Sequence, residues 1–300
     1  ISPGEDLLDA RIPFFWRNRS TRTGEGPSVL YGDSGGTIVS LRTQQGEGAN
    51  QLFWGPEIAF GRRLAAAGVT NIMIVKASRG GGGNSHWLKN GEMYQHVVET
   101  VRQAVSALPR GTDFDIAAFL YVQGESDSEA EAKVSGERLR LLAENLRKDL
   151  PNAVNTKVLV GGIAAAGPNR DIVRDRQSRL PATDSTFHYV NTLHLRSQLY
   201  DQLHFNKSAK LELGRRMADR VLCDAHIQVA PKITVSEGHR VSDAVFLRVR
   251  DAFPEVRDVL VHIDPEDDGE LQVVPPGPIP ERTEVVATVT DLLDGCGTQA

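Results

Sequence analysis

Three apolar runs, NIMIVKA (71–77), DIAAFLYVQG (115–124) and TKVLVGGIA (156–164), constrain the fold more than any other feature of this chain. Each is nearly continuous in apolar residues rather than alternating, the pattern of a strand covered on both faces. Helix-like stretches separate them. GPEIAFGRRLAAAG (55–68) opens with a proline suited to a first turn and closes on glycine. A helix is predicted near 91–108, and another over AEAKVSGERLRLLAENLRKDL (130–150), where apolar residues recur at helical spacing and Pro151 is the stop. FHYVNT (187–192) reads as a fourth strand, and NKSAKLELGRRMADRVL (206–222) as a helix that leads into a further strand. Strands alternating with helices predict an α/β fold, a parallel sheet with helices on both faces. Residues 1–54 read as irregular, with short strands at IPFFW (12–16) and TIVSL (37–41).

The rhythm changes after about residue 222. LCDAHIQV reads as a strand, SEGHRVSDAVFLRVRDAF (236–253) as an amphipathic helix with Ser236 as N-cap, and VRDVLVHIDP (256–265) as another strand. Three domains are therefore predicted: 1–222, a small α+β piece at 223–266, and a Pro-rich tail at 267–300. A net charge of −5 without a basic stripe disfavours nucleic acid or an anionic membrane as partner. Cys223 and Cys296 form no CxxC spacing, so neither a disulfide framework nor thiol chemistry is implied. No apolar run approaches the ~18–20 residues that cross a bilayer. The opening ISPGEDLLDARIPFFW has no methionine and no signal-like segment, and reads as a chain whose natural beginning is missing. The sequence assigns no compartment.

Chemistry gathers where strands end, as ligands do in open parallel sheets. SRGGGGNSHW (78–87) reads either as a surface turn or as a loop whose N–H groups approach a ligand closely. YVQGESD (121–127) crowds Gln123, Glu125 and Asp127 onto a tight turn, solvated or functional. DQLHFN (201–206) places Asp201 three residues before His204, weak alone because many histidines are structural. A histidine titrates near neutrality, and a carboxylate on its second nitrogen fixes the tautomer and stabilises the imidazolium.

GPEIAFGRRLA, VKASRGGGGNSHW, YVQGESD and DQLHFNKSAKLELGRRMA, in that order, resemble the SGNH hydrolases over about residues 10–220, and more narrowly the sialate O-acetylesterase and acetylxylan esterase branch, carbohydrate esterase family six. The resemblance implies an SGNH/flavodoxin-like three-layer fold and hydrolysis of acetyl esters on sugars such as sialic acid or xylan, with no cofactor. It implies His204 as base and Asp201 as its orienter, Gly80 and Gly81 as oxyanion donors with Gln123 beside them, and Gly124 and Glu125 as support. The family's serine lies on the first strand in a Gly-x-Ser-Asn-like turn, and no such turn precedes IPFFW. The expectation is that the first strand and the nucleophile lie upstream of Ile1. YGDSGGTIV (31–39) copies the GDSGG of chymotrypsin-like proteases, but the first histidine is His86, too late for that order of residues. Ser34 remains the alternative nucleophile for the esterase.

The segment DAHIQVAPKITVSEGHRVSDAVFLRVRDAFPEVRDVLVHIDPEDD resembles the cytoplasmic domain of cation diffusion facilitators. That resemblance implies a ferredoxin-like, dimerising piece, with zinc held by His226, His239, His262 and Asp264. His262 and Asp264 alternate onto one face of a strand, and imidazole with carboxylate suits zinc. The other reading is three unrelated surface histidines. LELGRRMADRVLCDAHIQV fits both resemblances, as a natural fusion, an engineered one or a joining artefact would.

Overall fold

Lys157–Gly161 is buried at every position, as a strand packed on both faces requires. The strand belongs to a computed structural model that describes residues 9–20, 28–46, 51–69, 71–228, 234–252 and 258–264. In chain order the strands are β1 (Pro13–Ser20), β2 (Val29–Asp33), β3 (Val39–Ser40), β4 (Gln44–Gln45), β5 (Leu52–Phe53), β6 (Ile74–Gly80), β7 (Ala118–Tyr121), β8 (Lys157–Gly161), β9 (Phe187–Val190), β10 (Leu222–Gln228) and β11 (Asp258–Asp264). The helices are α1 (Glu57–Ala66), α2 (Glu92–Ser106), α3 (Glu129–Asp149), α4 (Pro168–Ser178), α5 (Lys207–Ala218) and α6 (Val235–Ala252).

The fold is mixed α/β with helices on both faces of parallel strands. β7, β8 and β9 form one parallel group, with Leu120 opposite Leu159 and Leu159 opposite His188. β1 runs parallel to β6, with Phe14 opposite Ile74 and Ser20 opposite Gly80. On its other edge β1 pairs antiparallel with β2 and β3. The period of two along β8 sorts its side chains into two cores. Val158 and Val160 pack with Tyr94, Val97 and Val98 of α2 and Leu139, Leu142 and Leu146 of α3. Leu159 packs with Phe60 and Leu64 of α1 and Leu213 and Met217 of α5.

Both groups of strands lie between these two helical layers. Ala77 of β6 and Phe119 and Tyr121 of β7 join the α2/α3 core. Ile74 of β6 and Ala118 and Leu120 of β7 join the α1/α5 core. Yet β6 and β7 are not paired to each other among the described residues. A cavity of about 1910 Å³ is lined by the whole of β6 and by residues 117–123.

Several elements depart from the sequence reading. The strand read at IPFFW is present and longer than expected: β1 runs on to Ser20, and its Phe14 and Phe15 are fully buried. The strand continues through Arg17–Ser20 because these residues pair with Ala77–Gly80 of β6 on one edge and with β2 on the other, and Asn18 accepts a hydrogen bond from Ser78 Oγ (2.5 Å). Helix α4 was not predicted, although Pro168 in its first turn is the usual start signal. The cap of α6 is Thr234, not Ser236: Thr234 Oγ1 accepts the N–H of Glu237, whose carboxylate accepts the N–H of Thr234. β10 and β11 pair in parallel with α6 between them, which gives the small C-terminal α+β piece. The predicted tail at 267–300 lies outside the described residues. No helix among the described residues is long and apolar enough to cross a membrane.

Helices α1 and α5 approach so closely that a Cβ on Gly214 would collide with the Pro56 carbonyl and lie 2.9 Å from Phe60 N. Gly214→Ala therefore overpacks this crossing and lowers stability by about 1–3 kcal/mol. Urea unfolding reads this as an earlier midpoint; an unchanged midpoint would mean that the two helices part freely.

Candidate active site

The glycine run is held by what its neighbours need. β6 ends at Gly80, and the chain turns through Gly81 (φ +67°) and Gly82 (φ +100°) into the short 3-10 helix Asn84–Trp87. A side chain at Gly82 would strike the Arg79 guanidinium, which reaches back to Gly81 O (2.5 Å). One at Gly83 would strike the Glu131 carboxylate. Glu131 closes the capping box of α3 with Ser128 and also accepts the N–H of Ser85 (3.1 Å). The start of α3 thereby fixes the glycine loop.

The YVQGESD turn is tied to that loop from the other side. Asn84 donates through its backbone N–H to Asp127 Oδ1 (2.9 Å) and through Nδ2 to Asp127 Oδ2 (2.6 Å). Gln123 Nε2 donates to the same Asp127 Oδ1 (2.6 Å), and Gln123 Oε1 accepts from Tyr121 OH (2.8 Å). An amide has two N–H donors, so Gln123 keeps a second one beyond the Asp127 bond. Gly124 (φ +142°) turns the chain beneath Val173. Burial pushes the Glu125 carboxyl up; its own backbone N–H, His204 and Arg170 act downward, and Asp127 adds to the rise.

Each residue of DQLHFN has a visible task. Gln202 adopts a left-handed backbone (φ +65°), which costs a non-glycine residue about 1–2 kcal/mol. That bend lets Asp201 Oδ1 accept the N–H groups of Leu203 (3.1 Å) and His204 (2.7 Å). It also brings His204 Nδ1 to 2.6 Å from Asp201 Oδ2. An ionised carboxylate only accepts, so Nδ1 carries the hydrogen, and in the neutral ring that leaves the lone pair on Nε2. Tyr200 stacks on the imidazole, with centroids 5.7 Å apart. Phe205 anchors the loop in the α1/α5 core, and Asn206 Oδ1 caps α5 by accepting Ala209 N–H (3.0 Å). Partial burial acts upward on the Asp201 carboxyl, but hydrogen bonds from the His204 ring and from the backbone outweigh it and hold the group down to about 2. Gly80, Gly81, Gln123, Glu125 and His204 all line the cavity between β6 and β7.

These loops lie within the match to a family model described as carbohydrate esterase, sialic acid-specific acetylesterase, over residues 40–223. The chain belongs to this carbohydrate esterase family. A second model, the cytoplasmic domain of cation efflux proteins, matches residues 213–266, overlapping the first at the junction. A crystal structure of an Arabidopsis thaliana protein is similar in fold, with a TM-score of 0.53 and 22% identity over 70% of this chain and 80% of that one. No curated protein matches.

Other residues singled out in the sequence lie elsewhere in this esterase. Ser34 follows β2; its N–H donates to Trp16 O (3.0 Å), and it does not line the cavity that His204 lines. Among the described residues no serine hydroxyl hydrogen-bonds to His204. His239 is exposed on α6. His226 and His262 are register partners across β10 and β11, as are Gln228 and Asp264. Among the described residues no group of three or more histidine, cysteine, aspartate or glutamate side chains converges as a metal site would require. Sequence reasoning missed Asn84, Glu131 and Tyr200. The capping signal Ser128-x-x-Glu131 was present in the sequence; nothing local announced that Glu131 would also reach Ser85.

The shift of Asp201 has a fixed sign. Its folded value lies below the ~3.9 of a free aspartate, so its contribution to stability is complete above about pH 4 and is lost as pH falls through about 2. Carboxyl carbon NMR should show Asp201 titrating near 2 and moving up towards ~3.9 in His204→Ala; a midpoint that ignores this substitution would show that the ring does not hold the carboxylate.

Proposed function

We propose that this chain supplies the base, its orienter and the oxyanion donors of a carbohydrate O-acetyl esterase of the SGNH type. The observation that carries this reading is the 2.6 Å contact of His204 Nδ1 with Asp201 Oδ2 at the mouth of the cavity rimmed by the glycine run. In the proposed reaction a serine oxygen attacks the acetyl carbonyl carbon and His204 Nε2 takes the serine proton. The oxyanion accepts N–H groups at Gly80–Gly81 and the second N–H of Gln123. Collapse expels the sugar oxygen, which takes the proton from His204, and leaves an acetyl-enzyme. Water then repeats the attack with His204 as base, and acetate leaves. Asp201 stays ionised throughout and stabilises the imidazolium. The substrate class is an acetylated carbohydrate such as an O-acetyl sialic acid or acetylxylan, and no metal or organic cofactor takes part.

The nucleophile in this reading is a serine whose hydroxyl meets His204 Nε2; within residues 1–300 the alternative is Ser34. In the active esterase His204→Ala lowers acetyl-ester turnover about 10²–10⁴-fold while circular dichroism stays unchanged; full turnover would remove His204 from the site. Turnover by residues 1–300 that Ser34→Ala abolishes would move the nucleophile to Ser34.

A second reading concerns residues 213–266. The backbone register that sets His226 beside His262 favours a module that binds zinc through His226, His239, His262 and Asp264 and joins two copies of the chain. Isothermal titration with Zn²⁺ should give a binding heat that His262→Ala removes; no heat, or heat that survives the substitution, would leave these as unrelated surface residues.

A further inference from the structure

One guanidinium of the sheet has donors without acceptors. Arg17 and Arg19 stand two residues apart on β1 and so share a face. Their register partners on β6 are Ala77 and Arg79, and Ala77 packs into the core that α2 and α3 form. This face of β1 and β6 meets the start of α2, where Glu92 reaches both Arg19 and Arg79. Arg17 is partly buried, and its Nε and Nη1 atoms are buried with no hydrogen-bond partner. A guanidinium stays charged at ordinary pH and only donates. Buried charges are ordinarily paired, because leaving water without a partner is costly.

The acids around Arg17 serve other groups. Glu92 lies 3.2 Å from Arg19 Nε and 3.3 Å from Arg79 Nε, and its Oε1 accepts the N–H (2.9 Å) and the hydroxyl of Ser28. Asp33 is the register partner of Arg17 on β2, but it is exposed and its Oδ1 accepts the N–H of Gly35 (2.7 Å). Among the described residues no ion pair joins Arg17 to either acid. His96 of α2 supplies no negative charge either. Its Nε2 lies 3.0 Å from Arg17 O, and burial, aided by the charges of Arg17 and Arg19, holds the ring down to about 4. Helix α2 opens here from Gly91 without a side-chain cap, so its positive end adds to the same field. Arg79 carries this basic face to the glycine turn, since it donates to Gly81 O (2.5 Å) and lines the cavity that His204 lines.

We propose that Arg17, with the charge of Arg19 beside it, binds an oxyanion of the carboxylate class next to the glycine turn. An oxyanion only accepts, so it supplies what Nε and Nη1 lack, and charge-assisted bonds of this kind are roughly twice as strong as neutral ones. A neutral hydroxyl leaves the guanidinium charge uncompensated, and a cation adds to it. The oxyanion comes either as the acidic group of a sugar or as a free inorganic anion.

The test is thermal unfolding of residues 1–300 at constant ionic strength, balanced with sodium chloride, in sodium glucuronate, sodium sulfate or glucose. The Arg17 Nε–H resonance is followed by nitrogen NMR in the same solutions. Glucuronate should raise the midpoint saturably by about 2–4 °C and shift the Arg17 resonance, while glucose does neither. Arg17→Met should remove the rise. Arg17→Lys, which keeps the charge but not the planar fork, should weaken binding about fivefold, and it serves if Arg17→Met does not fold. A rise with glucuronate alone assigns the site to acidic sugars, and an equal saturable rise with sulfate assigns it to free oxyanions. The proposal is overturned by no saturable rise with either anion, by an equal rise with glucose, or by a rise that Arg17→Met or Arg17→Lys leaves unchanged. Ester hydrolysis plays no part in the readout, so failure of the esterase reading leaves this result standing.

Discussion

Asp127 holds the two groups of strands in one frame. Its carboxylate accepts both donors of Asn84, from the loop after β6, and the amide of Gln123, from the turn after β7. Burial pushes this carboxyl up, against hydrogen bonds from Gln123 and Asn84 that favour its charge. A buried donor left unpaired costs about 1–3 kcal/mol, so three donors on one residue make the relative position of the two loops stiff. The spacing of the glycine turn from Gln123 follows from that stiffness. Glu131 adds a second tie from the start of α3 to Ser85, so a helix cap and a loop anchor share one carboxylate.

Much of this was legible in the sequence because burial on two faces leaves a continuous apolar run. IVKA, AFLY, KVLVG and FHYV all lie within stretches read as strands, and the helices between them follow their capping and breaking signals. What escaped was either polar or non-local. Arg17–Ser20 continue a strand because they pair with Ala77–Gly80, sixty residues away, where Asn18 also meets Ser78. Helix α4 has few apolar residues, so its amphipathic pattern is faint, and only Val173, Arg174 and Gln177 are buried along it. The opening between β6 and β7 leaves no local mark, since an apolar run reads the same whether its edge is paired or bare. At the site, the order of Asp201 and His204 in the sequence pointed to their contact, whereas the left-handed bend at Gln202 that creates it had no signal in the residue type.

The His204–Asp201 pair is not explained by stability. Its side chains are 53% and 38% exposed, and ion pairs in that setting contribute about 0–1 kcal/mol. The left-handed Gln202 costs about as much, so the loop gains little in folding from bending this way. Backbone strain without a matching stabilisation is characteristic of functional sites.

Two carboxyl groups act on the same imidazole, and their environments push them apart. Asp201 is held down to about 2 by the hydrogen bonds it accepts, while burial moves Glu125 up. Only Asp201 touches Nδ1. In the proposed reaction the imidazolium must form and decay within one turnover, which calls for one fixed negative charge rather than two. A second full carboxylate would hold the proton on His204 and hinder its return to the leaving oxygen. Glu125, whose carboxyl is moved up by burial, sits in the turn, and its backbone carbonyl accepts from Arg170 (3.1 Å), which keeps the turn in place. Separation of two titratable neighbours by environment is how one site assigns acid and base roles, and in the proposed reaction Asp201 is the orienter and Glu125 supports the turn beside it.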